Sequence, residues 1–206
     1  MKGEVCLLST ILLVVFMFTT PSMAVMGTPS TPQTNVDISG KKVVFVIYNF
    51  EMEPWTFFKG PLESLGVTVD LASNSKRVIG FGVNLLHGGT VPDLMIDEIN
   101  VEDYDGIVLA AGGPIAPMFA ERDENLLQLL KEFDNQGKLV AAFCHNGPIL
   151  EKAGLFKEGE TPPPCPSPGT YRVHDNIVTG ATPASWQDFT EAIIEILEEQ
   201  EMQPEP

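Results

Sequence analysis

The chain has 206 residues, with 12 Lys and Arg against 28 Asp and Glu, a formal charge of −16. A share of 44% hydrophobic and 19% charged residues is that of a chain that folds around a core and excludes an intrinsically disordered one. So acidic a surface argues against nucleic acid and anionic lipid, both of which are bound through Lys and Arg, and three cysteines are too few for a disulfide scaffold.

Residues 6–18, CLLSTILLVVFMF, form an apolar run shorter than a membrane span, which needs roughly 20 residues. Lys2 precedes it, and Ser22-Met23-Ala24 is a small-x-small cleavage signal. Residues 1–24 are therefore expected to be a signal peptide, and the protein exported to a periplasm or the extracellular space. Left uncleaved, the same run would be a membrane anchor. Residues 25–41, rich in Thr, Ser and Pro, read as a linker. The folded domain is expected over 42–198, with 199–206 as a frayed acidic tail.

Residues 43–48 (VVFVIY) are a β-branched apolar run, as in a buried parallel strand. Residues 53–65 carry a helical apolar stripe with Pro61 inside it, where a kink is expected. A second strand is expected at 67–72, a short strand or hairpin arm at 77–83, and a third clear strand at 107–111. Residues 124–133 form a helix with Asp123 as N-cap and Gly137 past its end. Residues 139–143 (LVAAF) are a buried strand, 177–179 a late strand, and 184–197 a closing helix with Phe189, Ile193, Ile194 and Leu197 inward. Trp186 and Phe189 read as core at helical spacing. The alternation predicts an α/β sandwich, a mostly parallel sheet covered on both faces, with reactive groups at the carboxyl ends of the strands.

LVAAF runs directly into Cys144-His145-Asn146-Gly147-Pro148, and a helix follows. Strand, sharp turn and helix hold a turn cysteine outward, where backbone N–H groups and the helix N-terminus favour a thiolate. Glu51 and Glu53 follow the first strand and sit at the same sheet edge, where one of them can share a proton with the thiol. Gly112-Gly113 follows the third strand and lets backbone N–H groups approach a substrate oxygen. His87 lies in a turn and reads as solvated. Cys165 is a conceivable disulfide partner for Cys144, against which stands its Pro-rich surroundings and the loss of the nucleophile. No metal-ligand spacing is present.

Taken together, VVFVIYNFEME, PDLMIDEINVEDYDGIVLAAGG, LVAAFCHNGPIL and DNIVTGATPASWQDFTEAIIEIL resemble the ThiJ/PfpI family of the class I glutamine amidotransferase-like superfamily, over about 43–198. The resemblance implies a flavodoxin-like three-layer sandwich and a homodimer. It implies Cys144 as nucleophile, Glu53 as its proton-sharing partner, His145 as a third catalytic residue, and the N–H groups of Gly113 and His145 as an oxyanion site. The implied substrates are small carbonyl compounds, glycated adducts or peptides, handled without cofactor or metal. A non-enzymatic, redox-responsive stress protein or chaperone is the alternative. Cys-His-Asn-Gly-Pro is one residue longer than the family's Cys-x-Gly-Pro. The loop before Glu53 is shorter, which leaves Glu51 as a substitute. The segment 159–173, GETPPPCPSPGTYRV, is too rich in Pro for a normal strand. His174 matches a non-catalytic position of the family.

Overall fold

The computed structural model describes residues 36–49, 55–80, 89–113, 118, 120–156, 170–174, 176–180 and 185–202, with backbone alone for 170–174. The chain divides into residues 1–35 and 36–206, and the fold below belongs to the second unit. Its strands are β1 (Lys42–Val46), β2 (Thr68–Ser73), β3 (Leu94–Met95), β4 (Gly106–Leu109), β5 (Leu139–Phe143), β6 (Thr170–His174) and β7 (Ile177–Gly180). The helices are α1 (Trp55–Ser64), α2 (Glu124–Asn135), α3 (Gly147–Lys152) and α4 (Trp186–Met202). Among the described residues the strands form one sheet in the order β3-β2-β1-β4-β5-β7-β6. All neighbours are parallel except β6, which runs antiparallel to β7 at the edge.

The central strands are apolar on both faces because both faces are covered. Val44, Val46, Ile107, Leu109, Val140 and Ala142 point into one core, shared with α2 and α3. Val43, Phe45, Val108, Leu139, Ala141 and Phe143 alternate into the other, shared with α1 and α4. This is the expected flavodoxin-like three-layer sandwich, helices on both sides of a mostly parallel sheet. Asp123 caps α2 by accepting from the Leu126 N–H at 3.1 Å, and Gly137, at φ 67, ends it.

Several boundaries differ from expectation. The helix α1 ends at Ser64, with Pro61 inside it as expected. The piece at 77–83 contributes a lone antiparallel bridge, Val78 to Thr90, and its remainder from 81 lies outside the described residues. The Pro-rich segment ends in a strand after all: 170–174, beyond the last proline, pairs with β7 as an edge hairpin, which is where strands tolerate irregular neighbours. Within residues 36–41, read as linker, Ile38 is buried in the core shared with α1 and α4. The closing helix runs on to Met202, into the segment read as a frayed tail, and Glu201 pairs with Lys41 at 2.9 Å. On that helix Ile196 is buried and Ile194 only half-buried.

At the amino end of β1, Lys42 Nζ lies 2.8 Å from Asp70 Oδ2, and the Tyr104 hydroxyl donates to the same oxygen at 2.9 Å. The Lys42 ammonium also sits 4.6 Å from the centre of the Tyr104 ring. Burial pushes the Asp70 carboxyl up, but the bonds from Lys42 and Tyr104 outweigh it and hold the group below the usual carboxylate range. The native state then binds fewer protons than the unfolded chain, so this contribution is present above the unfolded pKa, about 3.9, and is lost as pH falls through the folded value. Thermal unfolding at pH 7 and pH 3 is expected to show a smaller acid-induced drop in Tm for Asp70→Asn than for the wild type. Equal drops would remove Asp70 from the acid response.

Candidate functional site

Because β1, β4 and β5 are adjacent and parallel, their carboxyl ends share one edge of the sheet. Cys144 follows β5 directly. It is half-buried, and its φ is 58°, the only positive φ of a non-glycine residue among the described residues. A left-handed backbone costs an L-residue roughly 1–2 kcal/mol, so surrounding structure must impose it. Two supports flank it. Phe143, one residue earlier, is locked between Phe58 and Phe189, with ring centroids at 4.7 and 5.1 Å. One residue later the chain winds into a 3-10 turn, Cys144–Asn146, which leads into α3. Pro148 lies in the first turn of α3, where its missing N–H costs nothing.

The expected helix behind the cysteine is present and short, six residues, Gly147–Lys152. Its dipole is correspondingly small, and among the described residues a side chain reaches the sulfur. His145 Nδ1 lies 3.0 Å from Cys144 Sγ. A neutral imidazole there accepts the S–H hydrogen, and a protonated one pairs with a thiolate; both make the sulfur a better nucleophile. His145 was expected both as a catalytic residue and through its backbone N–H, and the structure puts its ring against the sulfur.

Gly113 lies beyond the end of β4 at φ 103, a conformation that favours glycine, and is half-buried. By register, the strand end that leads to Gly112 and Gly113 runs beside the strand end that leads to Cys144, since Leu109 pairs with Ala142. The structure therefore brings Cys144, His145 and the Gly112-Gly113 turn to one edge. Glu53 and its alternative Glu51 lie outside the described residues, as do His87 and Cys165. His174 ends β6, away from the parallel strand ends, where its backbone pairs with Ile177. Trp186 is half-buried and stacks on Phe57 at 5.9 Å, and Phe189 is core.

The residue that sequence reasoning passed over is Asn146. It is 2% exposed, and its Nδ2 donates to three backbone carbonyls: Ala111 at 2.6 Å, Phe143 at 2.9 Å and Leu109 at 3.3 Å. The available signal was an amide as the surplus residue of the turn, in a place with many strand-end carbonyls. Among the described residues no group of three or more His, Cys, Asp or Glu stands close enough to hold a metal ion.

The sequence pattern of the DJ-1/PfpI family matches residues 41–161. The deglycase PfpI of Pyrococcus furiosus is 33% identical over 118 residues, 56% of this chain and 68% of that protein. An uncharacterized protein of Methanocaldococcus jannaschii is 28% identical over 147 residues, 70% of each chain. The crystal structure of a ThiJ/PfpI domain protein from Brachyspira murdochii superposes with a TM-score of 0.65 at 23% identity, covering 78% of this chain and 99% of that one. That last likeness speaks for the fold.

Proposed function

The chain belongs to the DJ-1/PfpI family, and from that premise we propose that it is a cysteine-dependent enzyme acting on a carbonyl substrate through the Cys144 thiolate. The observation that carries the reading is the strained thiol itself: a cysteine at φ 58 on a strand end, with an imidazole nitrogen 3.0 Å from its sulfur. A non-glycine residue is uncommon in that region, and such outliers gather at active sites. Deglycase is the name given to the Pyrococcus furiosus relative, and it favours 2-oxoaldehydes and their adducts over peptides as substrates here.

With a 2-oxoaldehyde, the thiolate adds to the aldehyde carbon to give a hemithioacetal, whose oxyanion is met by the N–H groups of Gly113 and His145. Glu53 takes the proton from the aldehyde carbon and returns it to the adjacent carbonyl carbon, whose oxygen takes up the thiol proton from His145, leaving a thioester of a 2-hydroxy acid. Water cleaves the thioester and releases the thiol. The sum is aldehyde plus water to hydroxy acid, so no external oxidant enters. His145 shares the thiol proton at the start and the end of the cycle. The protein works as a homodimer, and it works after export, with residues 1–24 removed as a signal peptide.

The test is consumption of methylglyoxal with formation of lactate. The wild type is expected to turn over, with Glu53→Gln slower by about 10²–10⁴-fold and Glu51→Gln near wild type. Equal losses in the two variants would mean the wrong glutamate has been assigned. No turnover, with Cys144 accumulating as a stable sulfinate under mild peroxide, would favour the redox-responsive protein instead.

A further inference from the structure

We infer that Asn146 is a positioning residue: its buried amide ties the ends of β4 and β5 together and so sets the Cys144 thiol against the Gly112-Gly113 turn. The inference rests on the reading of Cys144 as the nucleophile, and deepens it. All three neighbours of the amide nitrogen are carbonyl oxygens, which only accept. The group facing them must therefore be the NH2, and the orientation of the side chain is settled by chemistry.

The carbonyls it holds are informative. The pairing of β4 with β5 runs as far as Leu109 and Ala142. Ala111 and Phe143 lie past that point, so the side chain continues the tie where the ladder ends. Both oxygens must stay within hydrogen-bond reach of one nitrogen, which fixes the separation of the two strand ends. A trans peptide also points its N–H opposite to its C=O. Fixing the Ala111 carbonyl turns the Gly112 N–H outward from the clamp, at the start of the Gly-Gly turn. Fixing the Phe143 carbonyl turns the Cys144 N–H the same way and sets the peptide from which the residue enters its φ of 58°. Asn146 thus touches neither sulfur nor substrate, yet it orients the peptides leading into both halves of the site.

A purely scaffolding amide exists for comparison at the opposite edge of the sheet. Asn176 Nδ2 donates to Asp134 Oδ1 and to the Lys138 carbonyl, both at 3.0 Å, tying the start of β7 to the end of α2. It has the same chemistry without the site.

The experiment compares the full-length wild type with Asn146→Ala, Asn146→Ser and Asn176→Ala. Four quantities are read: Tm, the rate of Cys144 alkylation by iodoacetamide at pH 7, and kcat and KM with methylglyoxal. A reacting group misplaced by about 1 Å costs about 10²-fold. Asn146→Ala is therefore expected to lower kcat by about tenfold to a hundredfold with KM nearly unchanged, and to slow alkylation. Asn146→Ser, which retains one donor, is expected to lie between it and the wild type. Asn176→Ala is expected to lower Tm while leaving both rates at the wild-type level. Asn146 variants that lose Tm but keep wild-type rates overturn the inference, and so does an Asn176→Ala that slows both rates equally. Failure of both Asn146 variants to fold also overturns it, in favour of a scaffold role. A wild type that turns nothing over sinks the enzyme reading alone, and the alkylation rates then decide the role of Asn146 by themselves.

Discussion

Cys144→Ala is expected to abolish methylglyoxal turnover, by about 10³-fold or more, since removal of a covalent nucleophile leaves only the rate supported by binding and oxyanion contacts. The same variant is expected to melt close to the wild type. Alanine and cysteine meet the same steric penalty at φ 58, and Cys144 is half-buried, so little packing is lost. Cys144→Gly separates strain from chemistry. Glycine enters the left-handed region at no steric cost, so this variant is expected to be equally inactive yet more stable than Cys144→Ala, by up to about 1 kcal/mol. Loss of activity accompanied by a gain in stability is the signature of strain kept for function. Retained turnover in Cys144→Ala would move the chemistry elsewhere, and a glycine variant less stable than the alanine one would show that the backbone there is not strained.

The fold was legible because its central strands are unambiguous. Runs such as VVFVIY and LVAAF are long, β-branched or small, and bounded by turns, and only a sheet covered on both faces buries them. Cys144 was legible for the same reason, since a polar residue at the end of a buried strand has to emerge at the sheet edge. The imidazole at the sulfur was not. Neighbouring residues of a chain usually diverge, and the contact exists because the 3-10 turn of 144–146 folds His145 back. Asn146 stayed hidden because its partners, at 109, 111 and 143, become neighbours only once β4 and β5 are paired. Edge elements failed differently. The strand β3 is two residues long, too short for any alternation to show, and β6 is held by its hairpin with β7 rather than by its own pattern. The extension of α4 to Met202 is fixed by contacts from outside the helix, Lys41 to Glu201 and the Gln200 side chain to the Gly137 carbonyl at 3.2 Å, and a segment rich in Glu carries no periodic trace of them.

Phe143→Ala should be the most destabilising single change in the domain, and it should disarm the site from beneath. Phe143 is fully buried between Phe58 of α1 and Phe189 of α4, and those two rings themselves meet at 5.2 Å, closing a triangle of aromatics. Gly180 of β7, the register partner of Phe143, completes the fit: a Cβ there would stand 2.6 Å from Phe189 and 2.9 Å from Phe143. Rings this closely fitted cannot collapse into the space that alanine leaves, so the loss should be near the usual cost of such truncations, about 3–5 kcal/mol. Against a typical domain stability of about 5–15 kcal/mol, that is a large fraction, read directly as a lower denaturant midpoint. Gly180→Ala probes the same fit by overpacking and is expected to cost about 1–3 kcal/mol. Because Phe143, Phe58 and Phe189 share one cavity, the double variant Phe143→Ala/Phe189→Ala should lose less than the sum of the two single variants. The consequence for function follows from chain order. Phe143 carries the peptide that enters Cys144 and supplies a carbonyl to the Asn146 amide, so a loosened ring lets that peptide rotate and the strained φ relax. At a denaturant concentration where Phe143→Ala is still folded, Cys144 alkylation should therefore approach the rate of an ordinary cysteine. A folded Phe143→Ala that keeps the wild-type alkylation rate would show that the cysteine is held by its own turn alone.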